Sequence, residues 1–149
     1  VDVHGMHRSR FRSARADDGA SAVEFALVLG LLVVLLLGIA QFGITFSQWL
    51  AIEHAAREGS RWGSLGYEAG TTSSPDTVRN KVWAAAPALN PRLTDAQIAV
   101  TPGDPAEHPG QPVSVTVSYP TPVLPFMNRV FGTNALTVTL HATAVNRIE

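Results

Sequence analysis

Phe25-Ala-Leu-Val-Leu-Gly-Leu-Leu-Val-Val-Leu-Leu-Leu-Gly-Ile-Ala40 is the stretch that decides the reading, because nothing else in the chain is so uniformly apolar. No charged residue occurs from Phe25 to Ile52, and these 28 residues would extend about 42 Å as a helix at ~1.5 Å per residue. That is enough to cross a bilayer. Trp49 lies near the far end, where an indole suits the headgroup boundary. Arg8, Arg10, Arg12 and Arg15 precede the run and only Arg57 and Arg61 follow it closely, a bias that predicts a cytoplasmic N-terminus and an extracytoplasmic Glu53–Glu149.

The remainder sets outer bounds. A chain of 149 residues with net charge -1 has one domain's worth of material and no polyanion-binding character, so nucleic acid is not an expected partner. Cysteine is absent, which excludes disulfides and thiolate metal sites but leaves the compartment open. Val1 to Gly19 has almost nothing apolar to bury and reads as a disordered basic leader. Starts at Val1 and at Met6 are both compatible with it.

At the brink of the apolar run stands Gly19-Ala-Ser-Ala-Val-Glu24-Phe25. Glycine has no Cβ and lets a protease approach the backbone, and cleavage after Gly19 would create an ammonium on Ala20 close to Glu24. A lone carboxylate entering hydrocarbon costs about 2.5 kcal/mol or more, which a nearby cation would offset. Hydropathy alone leaves two other readings open: a secretory signal peptide, whose apolar region is usually shorter, and an unprocessed signal anchor in which Glu24 merely faces headgroups.

The spacing of Gly19, Glu24 and Phe25 resembles the processing site of type IV pilins, especially the tight-adherence branch. Three blocks are similar to the TadE-like family: Ala20-Ser-Ala-Val-Glu-Phe-Ala-Leu-Val-Leu29, Gln41-Phe-Gly43 and Ala55-Ala-Arg-Glu-Gly-Ser-Arg61. The resemblance implies cleavage between Gly19 and Ala20 by a prepilin-type aspartic peptidase, an assembly role for Glu24 and Phe25, and other pilus or pseudopilus subunits as partners in the membrane. It implies a minor rather than a major subunit, since major subunits of this branch are much shorter. Two positions depart from the pattern: Gly30 replaces a helix-bending proline, and Gln41 stands where an acidic residue is common. Any role for a second carboxylate in the helix therefore does not transfer.

Ala22, Ala26, Gly30 and Gly38 fall on one i+4 stripe with Val34 between them, a candidate surface for close helix packing or simply the usual composition of membrane helices. Ala51 to Arg61 continues the helix with Glu53–Arg57 and His54–Glu58 as i,i+4 pairs, until Gly59, Gly63 and Gly66 weaken it. Gly66–Ser74 reads as a loop. Pro75-Asp76 opens a short helix through Ala86, capped by Asp76 and carrying Val78, Val82 and Trp83 on its apolar side, and Pro87 ends it.

Period two then takes over: Ile98 and Val100; Val113, Val115, Val117 and Tyr119; Leu136, Val138, Leu140, Ala142 and Ala144. Serine and threonine fill the alternate places. These are three strands of an antiparallel sheet, with Val115, Val117, Val138 and Leu140 in one buried surface and His141 on the wet face. Pro102-Gly103-Asp104-Pro105 and His108-Pro109-Gly110 form the first connection. Pro120, Pro122 and Pro125 lead into Phe126, Met127 and Phe131 in the second. Three strands alone are marginal, so the long helix and the Trp83 helix should cover the sheet.

The expected architecture is α+β and pilin-like: a basic leader (1–19), a transmembrane helix with its extension (20–62) and a small extracytoplasmic domain (63–149). No nucleophile elbow, phosphate loop or spaced ligand set is present, so the chain reads as neither an enzyme nor a binder of metal or cofactor. The alternative to a pilin-like subunit is an unprocessed single-pass anchor presenting a binding domain outside the cell.

Overall fold

A computed structural model describes residues 10–122 and 137–149, with side chains from residue 19 onward. Its elements are α1 (Arg10–Ser64), α2 (Val78–Ala85), β1 (Ile98–Thr101), β2 (Pro112–Pro122) and β3 (Thr137–Arg147), with short 3-10 turns at Asp95–Gln97 and Pro105–Glu107. The α+β architecture with one three-stranded antiparallel sheet is as expected. Two compact units result, Val1–Ala40 and Gln41–Glu149.

In the first unit the helix already runs at Arg10, so residues 10–19 are not the structureless leader that their composition suggested. Arginine and alanine are good helix formers, and no proline interrupts Arg10 to Gly19. The expectation for residues 1–9 lies outside the described residues. From Gly19 to Ala40 every side chain is exposed. Leu27 and Leu31 are 72% and 74% exposed, which no water-soluble helix tolerates along its whole circumference. Ala20 to Ala40 would rise about 31 Å, close to the ~30 Å hydrocarbon thickness. One helix among the described residues is long and apolar enough to cross a membrane.

In the second unit, residues 41–64 of α1 lie on one face of the sheet. Ile52, Ala55, Ala56, Gly59, Ser60 and Gly63 are buried at helical spacing. All but Ile52 are small, so the helix backbone comes close to β2. A Cβ on Gly63 would lie 2.9 Å from Val113 Cγ2, and one on Gly59 would collide with Val82 and sit 3.1 Å from Val115 Cγ1. These glycines therefore do not loosen the helix, which continues to Ser64; they are where the sheet and α2 touch it. Burial of Ile52 contributes about 1.5–3 kcal/mol. Ser60 is buried too, but its hydroxyl donates to the Arg57 carbonyl at 3.0 Å and accepts from Asn146 Nδ2 at 3.2 Å.

The α2 cap is Thr77 rather than Asp76. Its Oγ1 accepts from Asn80 N and donates to the Thr71 carbonyl at 2.9 Å. Asp76 has φ 58°, a left-handed conformation that aspartate tolerates, and its carboxylate pairs with Lys81 at 2.9 Å. Val78 and Val82 are fully buried and Trp83 packs partly buried against the same core.

Strand order is β1-β2-β3. Val115 stands opposite Val100 on one side and Ala144 on the other. Val113, Val115, Val117 and Tyr119 are all within 1% of full burial, as the alternation predicts. Val138 is a correction: its parity is right, but it is 47% exposed. At its level the helix covers β2, where Thr121 donates to Gln48 Oε1 at 2.9 Å, and the edge strand lies beyond that cover. Pro120 and Pro122 are also corrected, from connection to strand. β1 pairs only with Ser114–Val117, so the two prolines sit where no described strand pairs with β2 on that side and their missing N–H breaks no described ladder bond. Pro125, Phe126, Met127, Phe131 and Leu136 lie outside the described residues.

Candidate processing and packing site

Gly19 and Ala20 lie inside α1, and a Cβ on Gly19 would meet nothing within 4 Å. The Gly19–Ala20 bond is therefore exposed among the described residues, and any protease acting there would need the backbone opened out of the helix. Glycine lowers the cost of that opening by about 1 kcal/mol relative to alanine. Glu24 and Phe25 are exposed one turn further on. A cut after Gly19 would turn Ala20 into the start of the helix and put Glu24 about 6 Å along the axis. The new ammonium would stand at the positive end of the helix dipole, and Glu24 would offset both charges.

Ala22, Ala26, Gly30 and Gly38 are exposed on an i+4 row that winds about 160° round α1 from Ala22 to Gly38. No side chain of the described residues approaches Gly30 or Gly38 within 4 Å of where a Cβ would stand. Of the charged pairs expected downstream, Arg57–Glu53 forms at 3.3 Å. Glu58 does not meet His54; it accepts from Trp62 Nε1 at 2.8 Å and lies 4.0 Å from Arg61.

What the residue pattern did not reveal is a polar seam between α1 and β2. Gln41 Nε2 donates to the Pro122 carbonyl at 3.1 Å, and Gln48 Oε1 takes the Thr121 hydroxyl about two helical turns further along. Tyr119, which burial pushes above the ordinary phenol pKa, donates to the Pro91 carbonyl at 3.0 Å beside it. The Gln41 contact explains why an acid is not suited to that place: a carboxylate cannot donate, and would face a carbonyl oxygen. Gln41→Glu should therefore lower the stability of residues 41–149 by about 0.5–1.5 kcal/mol, whereas Gln41→Lys, a donor, should be milder. Thermal melting of the two variants in detergent checks the order. Equal losses would mean that the Gln41 bond carries nothing.

The described residues contain no cluster of three or more His, Asp or Glu side chains able to hold a metal. His108 Nδ1 contacts the Asp104 carbonyl at 2.9 Å, and His141 Nδ1 contacts Ser118 Oγ at 3.0 Å on the open face of the sheet, without a carboxylate behind it.

No curated protein and no solved structure matched the chain in comparison. The family model described as TadE-like protein matches residues 19–61, from Gly19 through the apolar run to the last arginine of the Ala-Ala-Arg-Glu-Gly-Ser-Arg block, so that this part of the chain is similar in sequence to that family.

Proposed function

We propose that the chain is a minor pilin or pseudopilin that contributes to assembly or priming of a tight-adherence pilus or a related secretion apparatus in the cell envelope. The observation that carries this reading is the coincidence of the TadE-like segment with a helix exposed throughout Gly19–Ala40 and opened by Gly19, Ala20, Glu24 and Phe25. In this reading a prepilin-type aspartic peptidase removes the basic leader on the cytoplasmic side. The helix then stays in the membrane, presents Ala22, Ala26, Gly30 and Gly38 to neighbouring subunits, and carries the α+β unit outside. The chain works by packing and docking, without catalysis. The competing reading is an unprocessed anchor that presents the same unit.

Gly19→Val should abolish cleavage by placing a β-branched side chain at the scissile bond, so that the full-length protein accumulates in the membrane. Glu24→Gln should leave cleavage intact and reduce incorporation into the apparatus, because shape is kept while the charge that meets the Ala20 ammonium is lost. Mass spectrometry of the mature N-terminus in the native host reads the first effect, and co-isolation with other pilus components reads the second. A leader retained in the presence of the peptidase would establish the anchor instead.

A further inference from the structure

Phe42, Phe46 and Trp49 turn away from the sheet. They stand at i, i+4 and i+7 of α1, and their rings stack at centroid distances of 6.0 and 5.9 Å. Helix geometry sets them about 100–160° round α1 from Gln48, which faces β2. All three are exposed, Phe42 to 70%, and so are Ile44 and Leu50 beside them. An aromatic row of this kind fits an apolar or interfacial partner.

The end of the sheet next to this row is built to tolerate a dry neighbour. The Pro122 carbonyl accepts from Gln41 Nε2 at 3.1 Å, and the Thr121 hydroxyl donates to Gln48 at 2.9 Å. Pro120 and Pro122 have no N–H to leave unpaired beyond the reach of β1. An unpaired backbone group is what hydrocarbon penalises most. Val138, which stands opposite Thr121, is an exposed apolar side chain at the same end. The hollow between α1 and this part of β2 is lined by uncharged residues, Ile44, Asn90 and Pro91 among them.

We propose that the Phe42–Phe46–Trp49 row and the adjoining sheet end, Thr121, Pro122, Thr137 and Val138, form a phospholipid-binding surface. It seats the folded unit in the boundary layer of the membrane that α1 crosses, so that lipid holds the unit as well as the helix.

Lipid is the occupant because the row continues the apolar run without interruption. The crossing takes about 20 residues, which end at Ala40 counted from Ala20 and at Ile44 counted from Phe25, past the Glu24 carboxylate. On either count Phe46 and Trp49 fall just beyond, in the layer where aromatic rings concentrate, and the next charge is Glu53. Gln41 is the residue after Ala40, so its hydrogen bond to Pro122 brings the sheet end to that depth by connectivity alone. The proposal rests on the membrane-anchored reading above.

The chain has no cysteine, so Thr137→Cys, Arg147→Cys and Val34→Cys each accept a single nitroxide label. Thr137 pairs with Pro122 and Arg147 with Pro112, at opposite ends of β3. With the full chain in phosphatidylcholine vesicles, collisions of each label with oxygen, which enters lipid, are compared with collisions with anionic chromium oxalate, which does not. The oxygen-to-oxalate ratio at Thr137 should be at least about tenfold that at Arg147, because hydrocarbon excludes the ion. Phe42→Ser combined with Phe46→Ser should bring the Thr137 ratio down to the Arg147 value, with circular dichroism reporting that the fold is kept. If that pair does not fold, Phe42→Ser alone decides. Equal ratios at Thr137 and Arg147, a Thr137 label that neither collider reaches because residues 123–136 or another copy cover it, or a ratio indifferent to the phenylalanine changes would each overturn the proposal. The Val34 label tests the anchored reading separately: without an oxygen preference there, that reading fails, whatever Thr137 shows.

Discussion

Gly59→Leu should leave residues 41–149 unfolded, while Gly43→Leu should leave them folded. Both glycines are in the same helix. At Gly43 a side chain would meet open space, whereas at Gly59 its first carbon already collides with Val82 and presses on Val115. Both valines are fully buried and have nowhere to retreat. Overpacking by a methylene or two costs about 1–3 kcal/mol, so four carbons exceed what a domain with about 5–15 kcal/mol of stability absorbs. The smaller change separates packing from propensity. Alanine gains about 1 kcal/mol over glycine in a helix, so Gly43→Ala should stabilise, but at Gly59 the clash outweighs that gain and the net loss should be about 1–2 kcal/mol. Near-ultraviolet circular dichroism of Trp62 and Trp83 during thermal melting of the full chain in detergent reads both pairs. Identical behaviour of Gly59→Ala and Gly43→Ala would show that the helix does not approach β2 as described.

A buried charge should be as damaging. Val115 is fully buried on the central strand, between Val100 and Ala144 and under Gly59. Val115→Asp would place a carboxylate there with no partner, at a cost of several kcal/mol, enough to lose the cooperative melt. The neighbouring Thr116→Asp faces solvent and forfeits only the hydroxyl contact with Thr143 at 2.9 Å, so it should lower stability by about 1 kcal/mol or less. Equal effects would mean that the strand is turned over by one residue.

The features legible in the sequence are those written as periods. The uncharged run to Ile52 marks the helix, and alternation at Val113–Tyr119 marks the core face of β2, because each depends only on local geometry. Features set by a distant partner were not legible. A glycine at 59 or 63 reads as a weak helix position until one knows that Val82 and Val113 lie against it. Pro120 reads as a breaker until β1 proves too short to need its N–H. Thr77 and Asp76 are both good caps by type, and the left-handed turn at Asp76 decides between them. Val138 has the correct parity for burial, but parity cannot tell how far the covering helix reaches across the sheet. Within the candidate site, the order of Gly19, Glu24 and Phe25 was visible throughout, while Gln41 became intelligible only with the Pro122 carbonyl in place.

The alignment of α1 with β2 also has a mechanical side. Because the two run antiparallel over Gln41–Gly63, tension applied along α1 loads the contacts at Gln41, Gln48, Gly59 and Gly63 together, in shear, rather than peeling them apart in succession. The helix that is pulled is also the one that fills the core, with Ile52, Ala55 and Ala56 completely buried along it. Residues 41–149 pulled lengthwise through the helix therefore resist together up to a single yield point, whereas the same force applied sideways at the C-terminal end of β3 would unzip the sheet one hydrogen bond at a time.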